Sequence, residues 1–236
     1  MSEFKRARSQ AQKQQRIQEI KNAMDALFQE QPYHAITLTM IADRLGLTRA
    51  NLYSYFSTKE EIVLELSADR RDEYYEALMS AFPQNGGCAP DEMAQVWSGV
   101  LNGHWDYLQY SDILHTIVET NVTVERLAAY KKRFYEKTYQ VSSWLGDLLG
   151  LSRAEAYELF LNVHYHAVGI YGIIRRNPLV TEALAMENIR TPITDFRENL
   201  RKFIHMNLTY YLASPLTTTE STGGVGTLEN GTRSML

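Results

Sequence analysis

The sequence predicts an all-α fold in two parts, and three observations predict it. Apolar residues recur three or four positions apart in stretch after stretch, and no alternating apolar–polar run survives. Proline, glycine and Ser/Thr/Asp caps stand where these stretches begin and end. Between Thr37 and Lys59, the run TLTMIADRLGLTRANLYSYFSTK reads as a helix, a tight turn and a second short helix.

Residues 1–12 are basic and are expected to be flexible. A first helix runs from about Arg8 to Gln31, with Ile17, Ile20, Met24, Leu27 and Phe28 as one apolar stripe. Pro32 ends it, and His34 falls in the connection that follows. Leu38, Ile41 and Leu45 recur at helical spacing, with the small Ala42 beside them. Gly46 stops this second helix where positive φ is wanted. Thr48 caps the third helix, and Leu52 and Phe56 give it an apolar face. Ser57 and Thr58 open a fourth, with capping-box spacing to Glu60 and Glu61. It runs to about Phe82, through Ile62, Leu64, Leu66, Leu78 and Met79, long enough to leave the first part and enter the second.

The stretch PQNGGCAP, residues 83–90, is a loop. Asp91 begins a helix through Met93, Val96, Trp97, Val100, Leu101, Trp105 and Leu108, weakened at Gly99 and Gly103. Ser111 caps a short helix with Ile113, Leu114, Ile117 and Val118. Val124 to Leu149 is a long helix, and its Lys131, Lys132 and Arg133 read as a solvated face. Ser152, three residues before Glu155, caps a helix running to about Arg176. Its stripe is Leu159, Phe160, Val163, Ala167, Ile170 and Ile174. Pro178 breaks it, and a weaker segment, Thr181 to Asn188, leads to Pro192. The last helix carries Phe196, Leu200, Phe203, Ile204, Asn207 and Tyr211. From Pro215 the chain is rich in Thr, Gly and Ser, and 214–236 is expected to be a disordered tail.

The chain has 236 residues, 44% apolar and 22% charged, a globular composition. No run of about 18 apolar residues exists, so no membrane span or membrane partner is expected. The start, MSEFKRARSQ, has no apolar region after it and does not read as a secretory leader. A single cysteine, Cys88, excludes an internal disulfide and fits a cytoplasmic location. Net charge is −4, yet it is unevenly spread. Residues 1–60 hold nine Lys/Arg against six Asp/Glu, and residues 61–236 hold fifteen against twenty-two. A basic end on an acidic body implies one end that faces nucleic acid.

Leu52 and Phe56 face inward on the third helix, so Arg49, Asn51 and Ser54 face outward, with Tyr53 and Tyr55 at the edges. Two short helices sharing a small core, with the donors of the second left outward, are the parts of a DNA-reading helix-turn-helix. The ending LYSYFSTKEE is more specific. With Thr37, Ile41, Ala42, Gly46, Leu47, Thr48, Leu52, Tyr53, Tyr55, Phe56 and Lys59, the stretch resembles the TetR/AcrR family of bacterial transcriptional regulators. Ala50 and Asn51 stand where many members have Gly and Thr.

The resemblance implies an N-terminal helix-turn-helix domain over 8–60 and a C-terminal helical domain over 61–213 for ligand binding and dimerisation. It implies a double-stranded DNA operator as partner, a homodimer and a small-molecule effector. The expected DNA-binding residues are Thr37, Thr39, Thr48, Arg49, Ala50, Asn51, Tyr53, Ser54, Tyr55 and Lys59. Arg49 and Asn51 suit base edges, because Arg pairs with guanine and Asn with adenine. Thr48, Tyr53 and Lys59 suit phosphates. In such relatives the last two long helices form a four-helix bundle with a second chain. Phe160, Val163, Ala167, Ile170, Phe196, Leu200, Phe203 and Asn207 are the expected dimer interface.

Aromatic residues crowd the second part, with a few polar groups among them, a composition that suits a small-molecule pocket. Trp97, Trp105, His115, Glu119, His164 and Tyr171 are the expected ligand-binding residues. His164 and His166 form an HxH pair, but residues two apart on a helix point about 200° apart and cannot share one ion. No metal site, cofactor or catalytic residue is expected: there is no phosphate loop, nucleophile elbow or Cys/His cluster. The reading is a ligand-released dimeric repressor. The alternative is an architectural or partner-binding helix-turn-helix protein without a small ligand.

Overall fold

The computed structural model describes residues 2–82, 89–175, 177–192 and 194–213, with side chains from residue 10 onward. These residues form ten α-helices and no strand. In order they are α1 (Ser2–Glu30), a 3₁₀ turn (Tyr33–Ala35), α2 (Leu38–Arg44), α3 (Arg49–Tyr53), α4 (Lys59–Ser80), α5 (Pro90–Asn102) and α6 (Trp105–Ile113). A π-helical turn (Leu114–Val118) follows, then α7 (Val124–Leu149), α8 (Arg153–Ile174), α9 (Pro178–Met186) and α10 (Phe196–Ala213). Cys88 and the tail from 214 lie outside the described residues. No described helix is long and apolar enough to cross a membrane.

Local chemistry sets most helix ends. The hydroxyls of Thr37, Thr48, Thr58, Thr123 and Ser152 each accept an N–H in the first turn of the helix they precede. Ser152 and Glu155 complete a capping box. Gly46 (φ 63°) and Gly150 (φ 69°) hold left-handed positions after α2 and α7.

Four elements depart from the sequence reading. Helix α1 begins at Ser2 instead of Arg8, because residues 2–15 are good helix formers without Gly or Pro. The single helix expected through Leu108 is two. Gly103 ends α5, and the non-helical His104 (φ −121°, ψ 51°) turns its Nδ1 onto the Val100 carbonyl at 2.7 Å. Ser111 is no cap: it lies inside α6, its hydroxyl donating to the Tyr107 carbonyl at 2.8 Å. Pro178 does not only break α8; it starts α9, where it needs no amide donor, and Asn177 Oδ1 caps that helix from Leu179 N–H at 2.9 Å.

Two apolar cores share the molecule. One is built by α1 to α4, around Ile20, Met24, Ile36, Ile41, Leu52 and Ile62, and it also takes in Tyr110, Leu114, Val118 and Tyr130. The other, around Leu78, Trp97, Leu101, Leu145, Phe160, Val163 and Leu200, belongs to α4, α5, α7, α8 and α10. The expected boundary at 60/61 falls within the first turn of α4, which contributes to both cores.

The second core corrects the expected dimer interface. Phe160, Val163, Ala167, Ile170, Phe196 and Leu200 are buried within their own chain. Helices α8 and α10 pack on each other, α10 also on α5 and α8 also on α6 and α7, so those six side chains are not available to a second copy. Phe203 and Asn207 remain half-buried. The apolar side chains these helices leave outside include Tyr165, Ile173, Met206 and Tyr210, each 59–64% exposed. An inward stripe and an intersubunit stripe look alike in sequence, and the chain's own core claims the more apolar one.

Candidate nucleic-acid interface

Helices α2 and α3 meet through Ile41, Ala42 and Leu52, all fully buried. The Leu47 amide donates to Ala42 O at 2.9 Å and closes the turn between them. This packing leaves the other face of α3 in solvent. Arg49, Ala50, Asn51, Tyr53 and Ser54 are exposed, as are Thr37 and Thr48 at the helix starts; Thr39 and Tyr55 are half-buried. Thr48 Oγ1 accepts from Asn51 N at 3.2 Å and Thr37 Oγ1 from Met40 N at 3.3 Å, so each hydroxyl proton stays free for an acceptor outside. Ser54 donates to Asn51 O at 2.7 Å.

Lys59 is placed differently from its expected role. Its Nζ donates to the carbonyls of Tyr33 and Ile36 at 3.0 and 2.8 Å and lies 4.2 Å from the centre of the Tyr33 ring. Burial lowers its pKa. Tyr33 in turn donates to Glu60 Oε1 at 2.6 Å. These contacts fasten the start of α4 to the turn between α1 and α2. Lys59 is thus a structural tie between α4 and that turn.

A cleft of about 630 Å³ opens beside the end of α3, lined by Gln12, Lys13, Gln15, Arg16, Glu19, Ser54 and Tyr55. Lys13 and Arg16 flank the reader there, and Arg16 is held by Glu19 at 2.6 Å. The sequence showed them as part of a basic segment, but not that α1 carries them to the reader.

Behind the reader, polar contacts join α1, α4 and α6. Tyr110 donates to Asp25 Oδ1 at 2.6 Å. Arg70 pairs with Asp25 at 2.6 Å, Glu73 at 2.8 Å and Asp106 at 3.0 Å. Lys21 pairs with Asp69. Gln109 accepts from Gln29 at 3.0 Å and donates to Phe28 O at 3.3 Å.

The expected ligand residues fall into two groups. Trp97 is fully buried and donates to Tyr74 Oη at 2.8 Å. Tyr74 stacks on Tyr107, whose hydroxyl is 2.8 Å from His164 Nδ1. Burial, with a smaller effect from His115, lowers the His164 pKa to about 4, so the ring is neutral at pH 7. His115 lies 3.3 Å from Glu119, which also holds Lys131 at 2.7 Å. Trp105 and Tyr171 form the second group, edge to face at 5.4 Å, with Phe196 5.1 Å from Trp105. Tyr171 borders a cleft of about 480 Å³ with Phe28, Gln109, Asp112 and Arg175. Trp97 is therefore a core residue tied into the tyrosine row, not an open pocket wall. His166 faces away from His164, 3.1 Å from Asn199 and stacked on Phe203. Among the described residues no three His, Cys, Asp or Glu gather as a metal site.

A helix-turn-helix with an open polar face, joined by one continuous helix to a larger helical domain, is the architecture of a DNA-binding transcriptional regulator. Residues 21–66 match the family described as bacterial regulatory proteins, tetR family. Residues 68–214 match the tetracyclin repressor-like C-terminal domain. The chain belongs to the tetR family. Among solved structures, it is similar to a TetR/AcrR-family transcriptional regulator from Thermobifida fusca YX-ER1. That match has 21% identity, 84% of this chain and 98% of that one covered, and a TM-score of 0.52. A tetR-family regulatory protein from Rhodococcus RHA1 is similar at 15% identity over 83% and 96% of the two chains, with a TM-score of 0.50. The fatty acid degradation regulator FadR from Bacillus halodurans is similar at 15% identity over 81% and 93%, with a TM-score of 0.50. At these identities the likeness is one of fold. No curated protein matches the chain.

Proposed function

We propose that the chain acts in the cytoplasm as a dimeric repressor that a small-molecule effector releases from its operator. The observation that carries this reading is α4. Its first residue, Lys59, is tied to the reader's supporting turn, and further along Arg70 is paired to α1 and α6. Its 22 residues span about 33 Å at 1.5 Å per residue. A tilt of about 5° at the far end moves the near end by roughly 3 Å, and half-sites one DNA turn apart do not tolerate such a change in both subunits. A 100-fold loss of affinity needs about 2.7 kcal/mol of effector preference for the released arrangement.

In this reading Arg49 and Asn51 meet base edges. Thr37, Thr39, Thr48, Ala50, Tyr53, Ser54 and Tyr55 complete the contact, and Lys13 and Arg16 add phosphate contacts. The second copy lies on the outer faces of α8 and α10, across Tyr165, Ile173, Met206 and Tyr210, with Phe203 and Asn207 at the edge. The test is fluorescence anisotropy on DNA flanking the gene, with light scattering on the same sample. Dimers that bind one segment tightly and lose it on adding a metabolite support the reading. Tight binding that no metabolite alters favours an architectural role, and a monomeric protein without DNA affinity overturns both.

A further inference from the structure

Arg71, on α4, is 1% exposed and holds a full positive charge inside the protein. Its Nε and Nη2 both donate to Asp72 Oδ1, at 3.0 and 2.7 Å. Its Nη1 is buried without an acceptor. The guanidinium carbon lies 5.8 Å from the centre of the Tyr130 ring and 5.7 Å from that of Phe134. A buried, charged donor without a partner is costly, and native proteins keep few of them.

The carboxylates around Arg71 are shared with other cations. Asp72 is shared with Arg133 at 2.6 Å, and Glu119 is committed to Lys131 and His115. Asp69 and Glu65 also act on Arg133, so what Arg71 lacks is an acceptor for Nη1 and not a counter-charge. Hydroxyl groups converge on the same region. Tyr75 bonds Thr138 at 3.2 Å, and Tyr107 bonds His164. Burial pushes the Tyr75 hydroxyl up to about 12 and raises that of Tyr130, and in both the Arg71 charge opposes the rise. The π-helical turn Leu114–Val118 packs on α4 here; such turns recur at functional sites. The cluster reaches the surface at His115 and Lys131, whose side chains are 58% and 31% exposed.

We propose that Arg71 anchors the effector, and that the effector is an organic carboxylate with an aromatic or aliphatic body. The carboxylate accepts from Nη1 and gives that buried donor its partner. The apolar body lies along Tyr130 and Phe134 under the π turn, with the Tyr75 and Tyr107 hydroxyls near its polar end. The anchor sits on the helix that begins beside the reader, so occupancy acts on α4 directly. This inference rests on the ligand-released reading above.

The experiment measures melting temperature and indole fluorescence of the full chain with sodium benzoate and sodium octanoate. Benzamide and octanamide are the uncharged controls, and inorganic phosphate is the control for a bare anion. A rise in melting temperature with at least one acid, absent with its amide and with phosphate, is expected. Arg71→Lys keeps the charge but loses the planar fork and should weaken that acid about tenfold. Should Arg71 variants fail to fold, Tyr75→Phe keeps the cation, removes a hydroxyl at the polar end and should weaken the acid about threefold. Stabilisation by amides or phosphate alone, by no acid, or unchanged in both variants overturns the assignment. Operator binding is measured first without any acid. Loss there removes the regulatory reading, whereas intact operator binding with no acid response removes only the Arg71 site.

Discussion

Tyr110 donates its hydroxyl proton to Asp25 at 2.6 Å, across 85 positions of sequence, and so joins α6 to α1. Burial and the adjacent carboxylate both raise the Tyr110 pKa, which keeps the phenol a donor at any ordinary pH. Asp25 accepts from Arg70 of α4 with its other oxygen. One carboxylate on the reader's supporting helix thus holds two helices of the larger domain.

Tyr110→Phe removes that hydrogen bond and leaves Asp25 paired with Arg70. The expected loss is about 1–2 kcal/mol of folding stability in urea titrations. Operator affinity should change little, while its response to an effector should weaken. An unchanged unfolding midpoint would refute the role given to this contact.

Arg49→Ala is expected to cost roughly 1–3 kcal/mol on the cognate operator and to relax the preference at one base. Selection from randomised DNA reads this directly. If the selected sequences match those of the wild type, Arg49 is not a base reader.

Lys59→Met should lower stability by about 1–2 kcal/mol, because two backbone carbonyls lose their charged donor. The salt dependence of DNA binding should stay as in the wild type. A slope shallower by about one would instead place Lys59 on a phosphate.

Ile173→Glu together with Met206→Glu should yield folded monomers in sedimentation experiments, since both side chains face solvent in the single chain. Ile170→Glu should unfold the protein, because Ile170 is 7% exposed within its own core. Folded dimers from the double variant would move the interface elsewhere.

His164 sets a pH dependence. Its pKa falls from 6.5 to about 4 on folding, with burial as the main cause. The unfolded chain therefore takes up the proton first as pH falls. The contribution is fully present above about pH 6.5 and is lost towards pH 4, by as much as about 3 kcal/mol. The His166 pKa is also lowered by burial and adds with the same sign. Denaturant titrations from pH 7 to 4 should show His164→Gln with a visibly flatter decline than the wild type.

Much of the fold was legible because its signals are local. Thr48 caps α3 and Ser152 caps α8 with residues three positions on, and Gly46 and Gly150 take the backbone that only local sterics demand. The exposure of Arg49 and Asn51 follows from Leu52 pointing inward. What depends on distant partners was not legible. Periodicity puts Ile170 on the apolar stripe of α8 but does not say whether that stripe is sealed in its own chain or against a second one. Lys59 turns inward because two carbonyls more than twenty residues earlier await it. The break at Gly103 depends on His104 closing the end of α5, a contact no composition rule specifies. Nothing local marks Arg71, because Tyr130 and Phe134 of α7 make its setting.

The core around α1 to α4 is closed by Tyr110, Leu114, Val118 and Tyr130, residues far along the chain. The reader therefore shares its core with the larger domain. A chain cut after α4 would lose those four side chains and leave Phe28 without the Tyr110 ring it meets at 5.4 Å. Melting should be one cooperative transition over both halves, and a reader transplanted onto another regulatory body would carry an open socket.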